Sequence, residues 1–372
     1  MKKLSLAKLD DLFAAVAATQ SLYLPVDDGK KGATYKKWET GTQYSRATNT
    51  VRSAKDFFFP QVEQMAAFKM EGKKIEVEDI RSEKEDFVIF GVRACDAASF
   101  PILDSVYLAD PIDTFYAERR KHGLIMTMAC NRPTETCFCS AFGIDASAPA
   151  GGDVTCWMTD SDLLLQANTE KGTAFLNALD LLEDAADDAA EETKKAIQGI
   201  LEKLPLAGLS TDAFGGDKLK ELFDSDKWES LSESCLACGT CTFVCPTCQC
   251  YDIRDYDTGH GIQRFRCWDS CMYSDFTLCA HGNTRPTQMQ RFRQRFMHKL
   301  VYYPANNNGM YSCVGCGRCV EKCPSSLNIV NILKTPFRRF LKYNVYMSCF
   351  VRFFIVILLL RQTKIMSFLH FL

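Results

Sequence analysis

Residues Cys235–Cys250 read CLACGTCTFVCPTCQC, six cysteines in sixteen positions. Cys235, Cys238, Cys241 and Cys245, followed by Pro246, have the spacing C-x2-C-x2-C-x3-C-P. Cys313, Cys316, Cys319, Cys323 and Pro324 repeat it. This is the pattern of bacterial ferredoxins. Three thiolates on one tight loop reach three corners of a cube of iron and sulfide. Small residues such as Gly239 and Gly317 let the backbone wrap the cube, with its amides donating to sulfur. The fourth cysteine points away and, in two-cluster proteins, ligates the other cube. The spacing thus assigns one 4Fe–4S cluster to Cys235, Cys238, Cys241 and Cys323, and a second to Cys313, Cys316, Cys319 and Cys245. Structural zinc is the competing reading. It takes four ligands, usually as two CxxC pairs, and two runs of three plus one fit cubanes better.

The 372 residues suffice for two or three domains, and 47% hydrophobic with 24% charged residues is a globular composition. A formal net charge of −2 gives no drive toward nucleic acid or an anionic membrane. The start, MKKLSLAKLDDLF, has no sustained apolar core and no cleavage site, and reads as an amphipathic helix. A cytoplasmic, reducing location is therefore expected. There the odd total of 19 cysteines points to metal binding and not to disulfides. No GxGxxG follows a strand and no GxxxxGKS loop is present, so no nucleotide site of either kind is visible.

An α+β organisation is expected: an N-terminal α/β domain (1–165), an acidic helical linker region (166–230), an alpha-helical ferredoxin domain (231–335) and an atypical hydrophobic and basic tail (336–372). DFVIFGV (Asp86–Val92) and LIMTM (Leu124–Met128) read as buried strands, Asp10–Gln20 and Pro60–Met70 as helices. Both strands run into cysteine-bearing loops. Cys95, Cys130, Cys137 and Cys139 are candidate ligands of a third 4Fe–4S cluster, since ligands gather in loops after strands of α/β domains; Cys156 completes the N-terminal thiols. The segment ALDLLEDAADDAAEETKKAIQGILEKL reads as a solvated helix whose face carries Asp180, Glu183, Asp184, Asp187, Asp188, Glu191 and Glu192.

The long gap from Thr247 to Ser312 points to a helical variant of the ferredoxin fold. Within it Met289, Phe292, Phe296, Leu300 and Tyr303 share one helical face. Arg291, Arg295, His298 and Lys299 fall on other faces, either solvated or facing an anionic cluster or partner. Cys248 and Cys250 are expected to pack beside the first cluster. Cys267 and Cys271, four apart in RFRCWDSC, read as one helical face; with Cys279 these read as buried thiols or an additional metal site. His260 and His281 are lone histidines, read as structural or solvated.

FFFPQVEQM (Phe57–Met65), GVRACDA (Gly91–Ala97), MACNRPTETCFCS (Met128–Ser140), CGTCTFVCPTCQCYDIRD (Cys238–Asp255), RCWDSC (Arg266–Cys271) and CVGCGRCVEKCP (Cys313–Pro324) together resemble an iron–sulfur subunit family. It includes the A component of anaerobic sulfite reductase, flavin oxidoreductase subunits of heterodisulfide-reductase-like complexes, and the sulfhydrogenase beta subunit. The resemblance spans roughly residues 50–335. It implies a role without substrate chemistry: carrying electrons between a flavin subunit handling NAD(P)H and a separate terminal reductase or hydrogenase subunit. Direct reduction of a substrate at a cluster, and a redox scaffold, are the alternatives. The tail departs from such subunits. Its longest apolar run, Phe353–Leu360, is shorter than the ~20 residues a bilayer requires. An altered reading frame, a membrane-surface anchor and a partner-binding helix are the readings of it.

Overall fold

The computed structural model describes residues 1–29, 32–47, 49–79 and 85–337, so the expectation for the tail falls outside them apart from Pro336 and Phe337. Near-continuous apolar runs make the centre of the larger sheet. β2 (Ser21–Asp27), β6 (Phe87–Arg93), β7 (Gly123–Met128) and β8 (Val154–Met158) lie side by side in parallel. Parallel strands are covered on both faces, which is why β7 and β8 are buried along their whole length. β1 (Lys2–Ser5), β3 (Ala33–Lys37), β9 (Asp162–Ala167) and β10 (Glu183–Asp184) add antiparallel edges, in the order β10-β1-β9-β8-β7-β6-β2-β3. The helix Leu9–Ala17 buries Leu12, Phe13 and Val16 on this sheet. Met1–Thr335 forms one compact unit.

The chain start is a strand before it is a helix, because Lys2–Ser5 finds a partner in Asp162–Leu165. The acidic segment is helical only over Glu191–Leu201, which buries Ile197 against the group around Trp157. Glu183 and Asp184 are drawn into β10, where they pair with Lys3 and Lys2; Asp187 meets the terminal amine. Such exposed pairs contribute little stability.

A second sheet joins distant parts of the chain. β4 (Val62–Glu71) pairs with β5 (Lys74–Glu78) on one side and with β12 (Ile262–Trp268) on the other, and β11 (Tyr251–Asp257) completes the order β11-β12-β4-β5. Pro60–Met70 is thus a strand where a helix was expected. Cys267 lies in β12, with Cys271 in the turn beyond, so the two do not share a helical face. The helix-forming residues Glu63, Gln64, Met65 and Ala66 yield to backbone pairing with a strand almost two hundred residues away.

A charged knot fastens that pairing. Arg266 of β12 is 1% exposed, and its Nε donates to Glu63 Oε2 of β4 at 2.6 Å. Arg119 Nε donates to Glu63 Oε1 at 2.9 Å, and Asp113 takes the other arm of Arg266. Removing one member of a buried set strands the others without partners, at about 3–5 kcal/mol. Glu63→Ala is therefore expected to lower the denaturation free energy by about that amount, read from the urea midpoint. A change within ~0.5 kcal/mol would mean the knot is incidental to stability.

Candidate iron–sulfur site

Both cysteine runs fold into the same loop. Ala237 and Gly239 in the first, and Gly315 and Gly317 in the second, have φ of 53°, 71°, 57° and 78°. The left-handed residues turn the chain around the three cysteines, and a short helix follows each: Thr240–Phe243 and Arg318–Glu321. Cys235, Cys238, Cys241 and Cys323 line one cavity. Cys245, Cys313, Cys316 and Cys319 line a second. The fourth cysteine of each run thus crosses to the other loop. Every cysteine among the described residues is a free thiol. No group of three or more His, Cys, Asp or Glu among the described residues closes around one point tightly enough for a single ion. The sulfurs ring cavities, and a donor set of four soft sulfurs around a cavity suits a cluster.

The walls of both cavities are apolar except for two cations. Thr287 caps the helix Gln288–Met297 through a capping box, and a π-helical turn, His298–Tyr302, continues it. Phe292, Phe296, Leu300 and Tyr303 are buried as their shared face predicts. Arg295 and Lys299, one turn apart, are each only 3% exposed. Arg295 lines both cavities, and its guanidinium donates to the Cys241 carbonyl at 3.4 Å. Lys299 Nζ donates to Thr247 Oγ1 at 2.7 Å and to the Ser312 carbonyl at 3.0 Å. Burial opposes both charges. It is outweighed by Cys241 and Cys319 at Arg295, and by Cys245 and Cys248 at Lys299, so both pKa values rise. Of the two readings for these cations, facing the sulfurs is the one observed; Arg291 binds the backbone carbonyls of Met272, Arg285 and Pro286 instead.

Lys55 approaches from the N-terminal half. It is 1% exposed, its ammonium donates to the carbonyls of Cys245 and Cys248 at 3.1 and 2.9 Å, and it sits 3.5 Å from the Trp268 ring centre. Burial pulls its pKa down to about 8 despite the nearby sulfurs. No motif marks Lys55 in the sequence. Burial likewise pushes the thiols of Cys241 and Cys313 up to about 12. Such thiols give up their protons only to a metal centre that replaces the lost solvation.

The N-terminal cysteines come together by strand register. Arg93 at the end of β6 pairs with Met128 at the end of β7, and Cys95 and Cys130 each follow two residues later. Cys95, Cys130 and Cys139 pack in one buried group with Val314 and Cys316 of the second run. Cys137 is buried too, with Thr134 Oγ1 at 3.2 Å from its sulfur. Asn49 Nδ2 lies 4.0 Å from that sulfur and donates to the Cys316 carbonyl at 2.8 Å. Arg318 locks the two regions: its guanidinium holds Asp96 at 2.5 and 2.7 Å and the Thr50 carbonyl at 2.8 Å, all of it buried.

The remaining candidates lie elsewhere. Cys156 is buried within the core of the larger sheet, where desolvation alone raises its pKa. Cys279 is exposed, and His260 and His281 face solvent. No helix among the described residues is long and apolar enough to cross a membrane.

Residues 234–327 match the family described as 4Fe-4S dicluster domain. Over 291 residues the chain is 36% identical to the sulfhydrogenase 2 subunit beta of Pyrococcus furiosus, covering 77% of this chain and 83% of the relative. No solved structure matches the chain.

The paired loops differ at one informative position. Ala237 holds a left-handed conformation that costs an L-residue about 1–2 kcal/mol, whereas Gly315 occupies the matching place in the second loop. A Cβ on Gly315 would stand 2.4 Å from the Phe138 carbonyl oxygen. Ala237→Gly is expected to keep or slightly raise the melting temperature. Gly315→Ala is expected to lower it by several degrees and to cost bound iron. Equal melting temperatures for the two variants would refute the contact.

Proposed function

The chain belongs to the family of the sulfhydrogenase beta subunit, and we propose that it relays single electrons through 4Fe–4S clusters between a flavin subunit handling NAD(P)H and a separate catalytic subunit. That subunit would be of sulfite reductase, hydrogenase or heterodisulfide reductase type. An iron–sulfur, electron-transporting oxidoreductase subunit follows from the family. The direction of flow and the partners are the proposal. The observation that supports it is the sorting of the eight run cysteines into two four-sulfur cavities that share Arg295 as a wall.

In this reading Cys235, Cys238, Cys241 and Cys323 hold one cluster, and Cys313, Cys316, Cys319 and Cys245 the next. Cys95, Cys130, Cys137 and Cys139 hold a third. A bound 4Fe–4S cluster supplies a one-electron couple whose potential depends on burial, local charge and hydrogen bonds to sulfur. The chain's own residues set those conditions. Arg295 and Lys299 place positive charge between the first two sets and favour the reduced, more negative state. Packing of Cys95 and Cys139 against Cys316 keeps the third set within reach of the second. The first set reaches the surface, with Cys238 exposed and Leu236 68% exposed. A partner docked there would exchange electrons over the shortest path.

Three measurements test this. Iron is expected at about twelve atoms per chain, falling to about eight in Cys137→Ser/Cys139→Ser and to about eight in Cys241→Ser. Eight in the wild type with no loss in the first variant would remove the third set. Lys299→Met is expected to lower one cluster midpoint by on the order of 60 mV, one tenfold step for one electron, in an EPR-monitored redox titration. NADPH alone should leave the protein oxidised, and NADPH with the co-purified flavin subunit should reduce it. Reduction by NADPH without that subunit would sink the relay role.

A further inference from the structure

Beyond the proposed ligand sets, two half-buried cysteines share a hydrogen bond and have no role yet. Cys250 closes the first cysteine stretch just before β11. The ladder between β11 and β12 runs one rung past Trp268, where Asp269 N–H donates to the Cys250 carbonyl at 2.9 Å. Cys271 follows two residues later. Fully buried Ser270 pins the turn between them, accepting from Thr242 Oγ1 at 2.8 Å; Thr242 lies between Cys241 and Cys245. The Cys271 thiol donates to the Cys250 sulfur. Cys241 of one set and Cys248, next to the other, are charged neighbours of the pair, and so are Arg295 and Lys299. Cys267 stands apart: in β12 it faces Asp252 across the ladder.

We propose that Cys250 and Cys271 form a redox-active dithiol, a two-electron site beside the one-electron clusters. This rests on the iron–sulfur reading above. On oxidation both S–H bonds break and one S–S bond forms. Two protons leave to solvent, and two electrons pass singly to oxidised iron–sulfur acceptors at the neighbouring cysteines. Two single electrons and two protons restore the thiols. Hydride donors deliver electrons in pairs and cubanes accept them singly, and a dithiol between them holds the odd partner. Two thiols already in hydrogen-bond contact need little movement to join.

The test uses the full chain purified anaerobically with its iron. Samples oxidised with thionine or reduced with dithionite are quenched in acid, alkylated with N-ethylmaleimide and mapped by mass spectrometry. A Cys250–Cys271 cross-link in the oxidised sample, with both thiols alkylated in the reduced one, is expected. Cys250→Ser/Cys271→Ser should retain its iron and take up about two fewer electrons per chain in a reductive titration. Full alkylation of both thiols in oxidised protein overturns the proposal, and so does loss of about four irons from the double variant, which would make the pair cluster ligands. Failure of the ligand sets shows separately, as unchanged iron in Cys241→Ser. The wild-type alkylation map stands alone if the double variant fails to fold.

Discussion

The buried pair between Arg318 and Asp96 decides where the cysteines meet. Arg318 follows Gly317 in the second cysteine loop, and Asp96 follows Cys95 at the end of β6. Neither charge touches solvent, and the guanidinium's remaining contacts go to Thr50. A buried ion pair adds little net stability over apolar packing, because desolvation consumes most of the attraction. Its effect is on register. A planar, bidentate fork accepts one geometry, so the second loop docks on the parallel sheet in one orientation. With Gly315 free of a Cβ, the Phe138 N–H reaches the Gly315 carbonyl at 2.9 Å. Cys316 then falls beside Cys95 and Cys139.

Crowding so many sulfurs creates an electrostatic problem that the rest of the structure answers. Thiolates in an apolar interior are costly singly and repel one another in groups. Lys55, Arg295 and Lys299 come from two distant parts of the chain and converge on the same few sulfurs and carbonyls. Each is itself buried. The cations would be as costly as the thiolates without them, so the two kinds of charge are mutually required. The π-helical turn belongs to this arrangement: Lys299 lies within it while Arg295 lies in the regular helix before it, and both still face the cysteines.

The cysteine loops are legible in the sequence because their information is local: spacing, glycine and proline within twelve residues define both runs, and even the crossing of Cys245 and Cys323 follows from it. The parallel strands are legible for a similar reason, as short apolar runs ending in loops. What is not legible depends on distant pairing. Phe57–Met70 carries good helix formers, yet β12 draws its second half into a strand. RFRCWDSC has helical spacing for its cysteines and lies mostly in the same sheet. Lys55, Asp96 and Arg318 matter only because the fold brings them to the sulfurs. Arg295 and Lys299 did leave a trace: cations four apart beside the apolar stripe of a helix next to cysteine runs.

The sheet β11-β12-β4-β5 bears on how the cysteine region can be handled as a unit. Between the two runs the chain makes a hairpin before it makes a helix, and that hairpin's inner strand pairs with β4 from the first quarter of the sequence. A fragment holding only the cysteine runs would expose the β12 edge and leave Arg266 buried without Glu63. It would also lose Lys55 and Asp96, and with them much of the charge balance around Cys245 and the docking of Cys316. The cysteine spacing specifies where iron and sulfide fit, but the environment that makes those thiols able to hold them is assembled from both ends of the chain. The ferredoxin-like runs and the parallel sheet therefore act as one electrostatic unit.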